Sequence, residues 1–239
     1  MILRYAIYFA PASDHPLTTE ASQWLGRDAF AGRTFPTPDV DGISQDEVHA
    51  LTADPRRYAF HATLKAPFEL AAGYREADLI DAFKRFAATT PAFDIPNVVI
   101  GQLGRFFALV PDRIYPDLQA FAANIVEEFE PFRAPLSDAD IARRKPDTLP
   151  PAHRANLMRW GYPHVMDEFR FHMTLTGQVP SEQAPAMRDA LETRFAKFIG
   201  APLSIDGLAL FVEPFRGAPF TVHSWQPLGL PETMRKIIP

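Results

Sequence analysis

Two seven-residue segments of the chain repeat one pattern of aromatic, histidine and threonine residues. The segments 58–64 (YAFHATL) and 169–175 (FRFHMTL) both read aromatic-x-Phe-His-x-Thr-Leu, and they lie 111 positions apart. A single His-x-Thr triplet is more often a structural histidine on a sheet, but its duplication in two matching halves indicates a shared role. The pattern therefore singles out four candidate functional residues: His61, Thr63, His172 and Thr174.

Both segments alternate in polarity as β-strands do. Successive side chains of a strand point to opposite faces, so the histidine and threonine of each triplet share one face while apolar residues occupy the other. If the two halves pack with approximate two-fold symmetry, the two polar faces converge on one cleft. The same alternation adds Lys65 to the first polar face and Arg170 to the second, which suits an anionic ligand.

Paired histidines can divide the work of opening a phosphodiester. Because imidazole titrates near pH 6.5, a neutral histidine can take a proton from water while a protonated one gives a proton to the leaving oxygen. Threonine hydroxyls can donate hydrogen bonds to the phosphate oxygens. This chemistry needs no metal or cofactor, and we expect none. The pattern leaves open which histidine is the base and which is the acid.

The elements that must position these residues also repeat. Hydrophobic spacing predicts strand, helix, strand, helix and strand up to residue 102, and strand, helix, insertion, strand, helix and two strands from residue 105 onward. Tyr8 shares a face of the first strand with Arg4 and is a candidate substrate-binding residue. We expect one α+β domain over residues 1–239, with antiparallel sheets facing a central cleft and helices on the outside. Its first lobe would carry the motif at 58–65 and its second the motif at 169–176.

The insertion at 132–162 differs from the rest of the chain. It is rich in proline and holds six basic against three acidic residues, within a chain whose net charge is −5. Two short helices are expected in it. Arg143 and Arg144 are further candidates for binding the substrate, because an insertion beside the second motif could close over a phosphate.

Composition excludes several classes of function. The chain has no cysteine, so disulfides, thiol nucleophiles and cysteine-ligated metals are excluded. An acidic chain disfavours long nucleic acid as a partner, and no apolar stretch of about 18 residues predicts a membrane span. The apolar start is expected to be a strand rather than a signal peptide. We expect a cytoplasmic protein, a monomer, whose partner is a small anionic cyclic phosphate.

The duplicated motif resembles the 2H phosphoesterase superfamily, which is defined by two His-x-Thr/Ser motifs in a duplicated α+β, LigT-like fold. The wider chain resembles a bacterial branch associated with phosphonate-utilisation operons. The resemblance implies a metal-independent cyclic phosphodiesterase acting on a cyclic ribose phosphate or a 2′,3′-cyclic nucleotide, with the four motif residues as its catalytic groups. The segments that carry it are RYAIY (4–8), WLGRD (24–28), FHATLK (60–65), WGYP (160–163) and FRFH (169–172).

Two other functions stay open at this stage. A non-catalytic protein that binds a phosphorylated metabolite could keep the same cleft, and an RNA-end processing enzyme could use the same chemistry. The five remaining histidines lack sequence partners and are expected to be structural: His15, His49, His153, His164 and His223.

Overall fold

The structure, a computed structural model, describes residues 3–229. Its strands are β1 (Arg4–Phe9), β2 (Ala62–Phe68), β3 (Phe93–Ile95), β4 (Val98–Leu103), β5 (Phe106–Pro111), β6 (Met173–Thr174), β7 (Leu203–Ile205), β8 (Gly207–Glu213) and β9 (Thr221–Pro227). Its α-helices are α1 (Pro16–Leu25), α2 (Gln45–Leu51), α3 (Ala53–Tyr58), α4 (Glu76–Thr89), α5 (Pro116–Glu128), α6 (Asp138–Arg143), α7 (Pro151–Trp160) and α8 (Ala184–Arg194). Three short 3₁₀ turns at 130–132, 146–148 and 166–168 complete the described elements.

A seven-stranded antiparallel sheet dominates the molecule. Its strand order is β4-β5-β6-β2-β1-β8-β9, and β3 and β7 form a separate antiparallel pair. The α+β class is confirmed by this arrangement. Strands from both halves of the chain join edge to edge in the large sheet, so that the two motif strands β2 and β6 are neighbours at its centre.

The two halves of the chain follow the same path. Apart from α2 and α3 in the first half and α6 and α7 in the second, the first half runs β1-α1-β2-α4-β3-β4, and the second runs β5-α5-β6-α8-β7-β8 before adding β9. The two halves also pair with each other at these strands, since β4 pairs with β5 and β8 pairs with β1. The order of the main elements agrees with the predicted repeat, but α2, α3 and the division of one predicted strand into β3 and β4 were not predicted. The single two-lobed domain over residues 1–239 stays a prediction.

The two faces of the sheet have different surroundings. Tyr5, Ile7 and Phe9 of β1 are buried in the large core that the long helices cover. On the opposite face Ala6 and Tyr8 belong to a smaller apolar cluster, and this face carries the cleft described below. The indole Nε1 of Trp24 in α1 donates a 2.8 Å hydrogen bond to the Leu175 carbonyl beyond β6, which ties the first half to the second motif.

The insertion at 132–162 contains the two helices α6 and α7. The Ser137 hydroxyl accepts a hydrogen bond from the Asp140 amide and so caps the start of α6. Gly161 ends α7 at φ 74°, a left-handed conformation that glycine adopts without steric cost. Among the helices of residues 3–229, none is both long enough and apolar enough to cross a membrane.

Candidate active site

The pairing of β2 with β6 brings the two His-x-Thr motifs together. Ala62 lies opposite Met173 in this antiparallel pair. Continuing the register by one residue in each direction places His61 opposite Thr174, and Thr63 opposite His172. All four side chains then share one face, and the histidines form a diagonal pair whose Cβ atoms are expected to be roughly 7 Å apart.

Each histidine is oriented by a backbone carbonyl two residues earlier. The Nδ1 atom of His61 lies 2.8 Å from the Ala59 oxygen, and that of His172 lies 2.7 Å from the Arg170 oxygen. A carbonyl can only accept, so Nδ1 must carry the hydrogen in both rings. In a neutral ring Nε2 is then left as an acceptor, and in His61 it lies 3.2 Å from the Thr63 hydroxyl.

A cleft of about 750 Å³ lies beside these residues. It is lined by His61, Thr63 and Thr174, among others. His172 is not one of the lining residues, but it is partly exposed and directly precedes Met173, which pairs with Ala62 of β2. Three of the four predicted catalytic residues therefore border the cleft, and the fourth adjoins it.

Burial changes the proton affinity of both histidines. It lowers the pKa of His61 from 6.5 to about 4. The hydrogen bond to the Ala59 carbonyl partly opposes this shift, and the nearby charge of His172 adds to it. Burial also lowers the pKa of His172, again against its hydrogen bond to the Arg170 carbonyl. At neutral pH the free protein therefore holds His61 as a neutral imidazole.

Tyr8 lies in the cleft, in the position that the alternation of β1 predicts. Its ring stacks on that of His61 with centroids 3.9 Å apart and an interplanar angle of 22°. The side chain is buried, and this burial raises the pKa of its hydroxyl well above 10. Tyr8 is thus one wall of the pocket that removes water from His61.

Arg143 and Arg144 also border the cleft. They lie at the end of α6, where Arg143 is exposed and pairs with Asp140 at 2.7 Å. The guanidinium of Arg144 lies over the Tyr162 ring, 5.3 Å from its centroid. The insertion thus carries two of the predicted substrate-binding residues to the site.

The prediction that Lys65 faces the cleft is wrong. Its Nζ atom donates 2.9 Å hydrogen bonds to the Val126 carbonyl and to Glu130, on the side of the sheet that α5 covers. The pairing of β1 with β2 explains this, because Tyr8 lies opposite Thr63 but Ile7 lies opposite Lys65. One extra residue of β2 therefore bulges between the two pairs and reverses the alternation after Thr63.

The prediction that the Arg170 side chain binds the substrate is also wrong in this structure. Arg170 is exposed, it is not a lining residue of the cleft, and its Nη1 atom donates to the carbonyls of Asp167 and Phe169 at 2.7 Å. No regular strand reaches it, since β6 begins at Met173. Alternation could not be extended to this residue, although its carbonyl orients His172.

Several arginines and tyrosines of the cleft escaped the sequence reasoning. The signal for Arg4 was available, because it shares a face of β1 with Tyr8. The others come from α3, the insertion and the loop after β8, whose meeting point no local pattern indicates. These missed lining residues are Arg4, Arg57, Tyr58, Tyr162 and Arg216.

A buried carboxylate holds two of these arginines in place. Glu213 of β8 is fully buried and forms ion pairs with Arg4 of β1 and with Arg57 of α3. The Gly217 amide donates to the same carboxylate at 2.8 Å. Because both arginines are needed to compensate a buried charge, their guanidinium groups are fixed at the cleft wall.

Within residues 3–229, no cluster of three or more histidine and acidic side chains has a geometry that could hold a metal ion. The metal-independent mechanism stays a prediction.

Comparison with known proteins gives matches in sequence and in fold. The chain is 38% identical over 227 residues to "Ribose 1,5-bisphosphate phosphokinase PhnN" of Janthinobacterium sp. (strain Marseille), and 33% identical over 219 residues to the protein of that name in Laribacter hongkongensis (strain HLHK9). The alignments cover 93% and 91% of this chain but 50% of each relative, so the chain spans about half the length of these proteins.

Among solved structures, E. coli LigT complexed with 3′-AMP aligns with 96% of this chain and 99% of its own, at 13% identity and a TM-score of 0.43. A family model described as a protein of unknown function (DUF1045) matches residues 63–221, well over half of the chain and including both His-x-Thr threonines. The chain therefore belongs to the DUF1045 family.

Proposed function

We propose that this protein hydrolyses a small cyclic phosphodiester with its two histidines and without a metal. The observation that carries the proposal is the register of β2 and β6, which sets two His-x-Thr pairs on one face beside a cleft. A diagonal pair of imidazoles leaves room for one phosphorus centre between them, with a proton acceptor on one side and a proton donor on the other.

His61 is the base in this proposal. Its Nδ1–H is held by the Ala59 carbonyl, so that the lone pair of Nε2 is available, and its lowered pKa keeps the ring neutral. It takes a proton from the water that attacks phosphorus. The Thr63 hydroxyl, 3.2 Å from that Nε2 atom, donates to it in the free protein and can turn to a phosphate oxygen when the substrate binds.

His172 is the acid. It is partly exposed, and a bound phosphate would favour its protonated form because of the opposite charge. The bond from phosphorus to one sugar oxygen breaks, that oxygen receives the proton of His172, and the product is a phosphomonoester. Thr174 lies opposite His61 and can donate to a phosphate oxygen as charge develops in the transition state.

We further propose a cyclic phosphate of ribose as the substrate, in phosphonate metabolism. Two lines support this choice. The sequence resembles a branch associated with phosphonate-utilisation operons, and two relatives, of which this chain spans half, carry the name ribose 1,5-bisphosphate phosphokinase PhnN. Hydrolysis of a ring phosphate on ribose would yield a ribose phosphomonoester.

The test is the loss of activity in His61→Ala and His172→Ala. With EDTA present, the wild-type protein is expected to open ribose cyclic phosphates or 2′,3′-cyclic nucleotides. Each substitution should lower kcat by about 10²- to 10⁴-fold, because each removes one proton transfer. His223→Ala is the matched control, since His223 lies on β9, pairs with Glu76 at 3.0 Å and is not a lining residue of the cleft.

Two results would contradict the proposal. Activity that survives either histidine substitution would remove the paired mechanism. Tight binding of a phosphorylated sugar, measured by calorimetry, without any turnover by the wild-type protein would instead favour the non-catalytic binding protein.

A further inference from the structure

Five arginines border the cleft, more than one phosphodiester requires. They come from β1, from α3, from the end of α6 and from the loop between β8 and β9, so that distant parts of the chain converge here. They are Arg4, Arg57, Arg143, Arg144 and Arg216. The accumulation is notable because the whole chain has a net charge of −5.

Carboxylates compensate only part of this charge. Glu213 pairs with both Arg4 and Arg57, and Asp140 pairs with both Arg143 and Arg216, at 2.7 and 3.0 Å. Four guanidinium groups thus share two main carboxylate partners. Arg216 also reaches Glu69 at 3.7 Å, and Asp54 is one further acidic residue on the cleft lining. Positive charge remains in excess at the cleft.

Arg144 is the arginine with the fewest partners. Among the residues that the structure describes, it forms no ion pair with a carboxylate, and its buried Nε atom makes no hydrogen bond. Its contact is with the Tyr162 ring. Burial lowers its pKa, and the charges of Arg143 and Arg4 act in the same direction, while Tyr162 and the charge of Asp140 act in the opposite one. Leaving such a group without a directly bound carboxylate is costly unless an anion binds there.

Two tyrosines of the cleft, Tyr8 and Tyr162, connect the arginines with His61. Tyr8 stacks on His61, and its hydroxyl interacts electrostatically with Arg4, Tyr58 and Tyr162. Tyr162 in turn interacts with Arg144. Arg144, Tyr162, Tyr8 and His61 therefore border one and the same cleft.

We propose that these arginines, with Arg144 at their centre, bind a second phosphate group on the substrate, a terminal phosphomonoester separated from the scissile ring phosphate by the sugar. This inference rests on the proposed function for the position of the scissile phosphate. A diester carries a single negative charge, whereas a phosphomonoester carries about −1.5 to −2 at pH 7 and three acceptor oxygens. Guanidinium groups bind such a group in a bidentate manner.

The size of the cleft agrees with this substrate class. Its volume of about 750 Å³ exceeds what one cyclic phosphate fills and lies in the range of sites for whole metabolites, roughly 300–1,000 Å³. A ribose that carries a ring phosphate and a 5-phosphate is a metabolite of this size class.

The test compares two substrates that differ only in the second phosphate: ribose 1,2-cyclic phosphate with and without a phosphate on its 5-hydroxyl. The wild-type protein should cleave the 5-phosphorylated form with the higher kcat/KM. Arg144→Gln should lower that kcat/KM by about 10- to 100-fold, as expected for a lost hydrogen bond to a charged group. The same variant should change cleavage of the other form by less than about threefold, since the chemistry at phosphorus is unchanged.

The matched control is Arg154→Gln. Arg154 lies on α7 of the same insertion, is exposed, pairs with Asp147 at 3.3 Å and is not a lining residue of the cleft. Its loss removes the same charge, so both substrates should be cleaved as by the wild type. An equal loss on both substrates in Arg144→Gln would overturn the inference and leave the proposed function in place.

A binding measurement separates the inference from turnover. Calorimetry should give an affinity for ribose 1,5-bisphosphate that Arg144→Gln weakens by at least tenfold and Arg154→Gln leaves unchanged. If this difference appears but neither cyclic substrate is cleaved, the second phosphate site stands and the proposed function fails. Equal affinities of the wild type and Arg144→Gln would overturn the inference.

Discussion

His61 and His172 occupy matching positions on two matching strands, but the next strand outward supplies them with different neighbours. Beside His61, β1 places Tyr8 opposite Thr63. In the second half, β5 places Ala108 opposite Thr174. The tyrosine stacks on His61 at 3.9 Å, whereas the nearest aromatic contact of His172 among the described residues is Phe106, tilted and 5.8 Å away between centroids.

The backbone differs as well. The Ala59 carbonyl that holds His61 belongs to a residue at φ 64° and ψ −178°, a region that is almost restricted to glycine. Arg170, which holds His172, is not among the described residues with positive φ. The repeated motif thus places two imidazoles. Neighbours that are not repeated surround His61, whose pKa burial lowers to about 4, while the pKa of His172 is lowered in the same direction. In the proposed mechanism, these different surroundings would let His61 act as the base and His172 as the acid.

The largest expected effect tests the division of roles through the leaving group. A substrate with an aryl leaving group, such as a p-nitrophenyl phosphodiester, needs little help from a general acid. On that substrate, we expect His172→Ala to lower kcat by less than tenfold, instead of the roughly 10²- to 10⁴-fold expected on the natural type of substrate. His61→Ala should lower kcat by about 10²- to 10⁴-fold on both substrates. Steady-state kcat for both variants on both substrates measures this, with His223→Ala as control. The reverse pattern would exchange the two roles.

A smaller effect is expected when Tyr8 is changed. Because burial lowers the pKa of His61 to about 4 and that of His172 below 6.5, kcat/KM should be bell-shaped, with an acid limb near 4 and an alkaline limb below 6.5. In Tyr8→Ala water reaches His61, so its pKa should rise toward 6.5. The protonated fraction then grows at pH 5.5, and kcat/KM there should fall by about tenfold.

An NMR titration of the imidazole signals of His61 measures the pKa directly. Tyr8→Phe keeps the stacked ring and is the matched control, with an acid limb still near 4. Since Tyr8 is buried, its truncation to alanine should also lower the free energy of unfolding by roughly 3–5 kcal/mol. If the alanine variant does not fold, the pKa of His61 is measured in Tyr8→Leu instead. A pKa of His61 unchanged in Tyr8→Leu would show that stacking does not distinguish the two histidines.

The smallest effect concerns the backbone behind each histidine. Ala59→Gly should raise the free energy of unfolding by about 1 kcal/mol, because glycine adopts the conformation of residue 59 without strain. Arg170→Gly has no such strain to relieve and should lower the free energy of unfolding by about 0.5–1 kcal/mol. Urea denaturation of both variants compares them. A loss of stability in Ala59→Gly would contradict the strain that we assign to the His61 side alone.

Much of the site could be predicted because it depends on local periodicity. Alternation within β2 and β6 places the histidine and threonine of each motif on one face, and the repeated motif indicates that the two strands correspond. Tyr8 follows from the same rule applied to β1. The order of elements was predictable for a similar reason, since each amphipathic segment shows its own period.

The sequence-based predictions were wrong or incomplete where contacts between distant parts of the chain, and not strand alternation, determine the position of a side chain. Lys65 faces α5 because the pairing of β1 with β2 contains a bulge, and Arg170 precedes a strand of only two residues. Arg57 and Arg216 reach the cleft because distant segments fold toward it. None of these features has a signature in the residues themselves.

The sequence by itself determined the chemistry that is available: two histidines and two threonines in a repeated strand pattern, on a chain without cysteine. Only the tertiary structure decided that β2 and β6 are neighbours in one sheet, that Tyr8 covers one histidine and not the other, and that five arginines meet at the cleft. The physical reason is that alternation is a property of each strand alone. Register, burial and the convergence of charge depend on residues that lie far apart in the sequence.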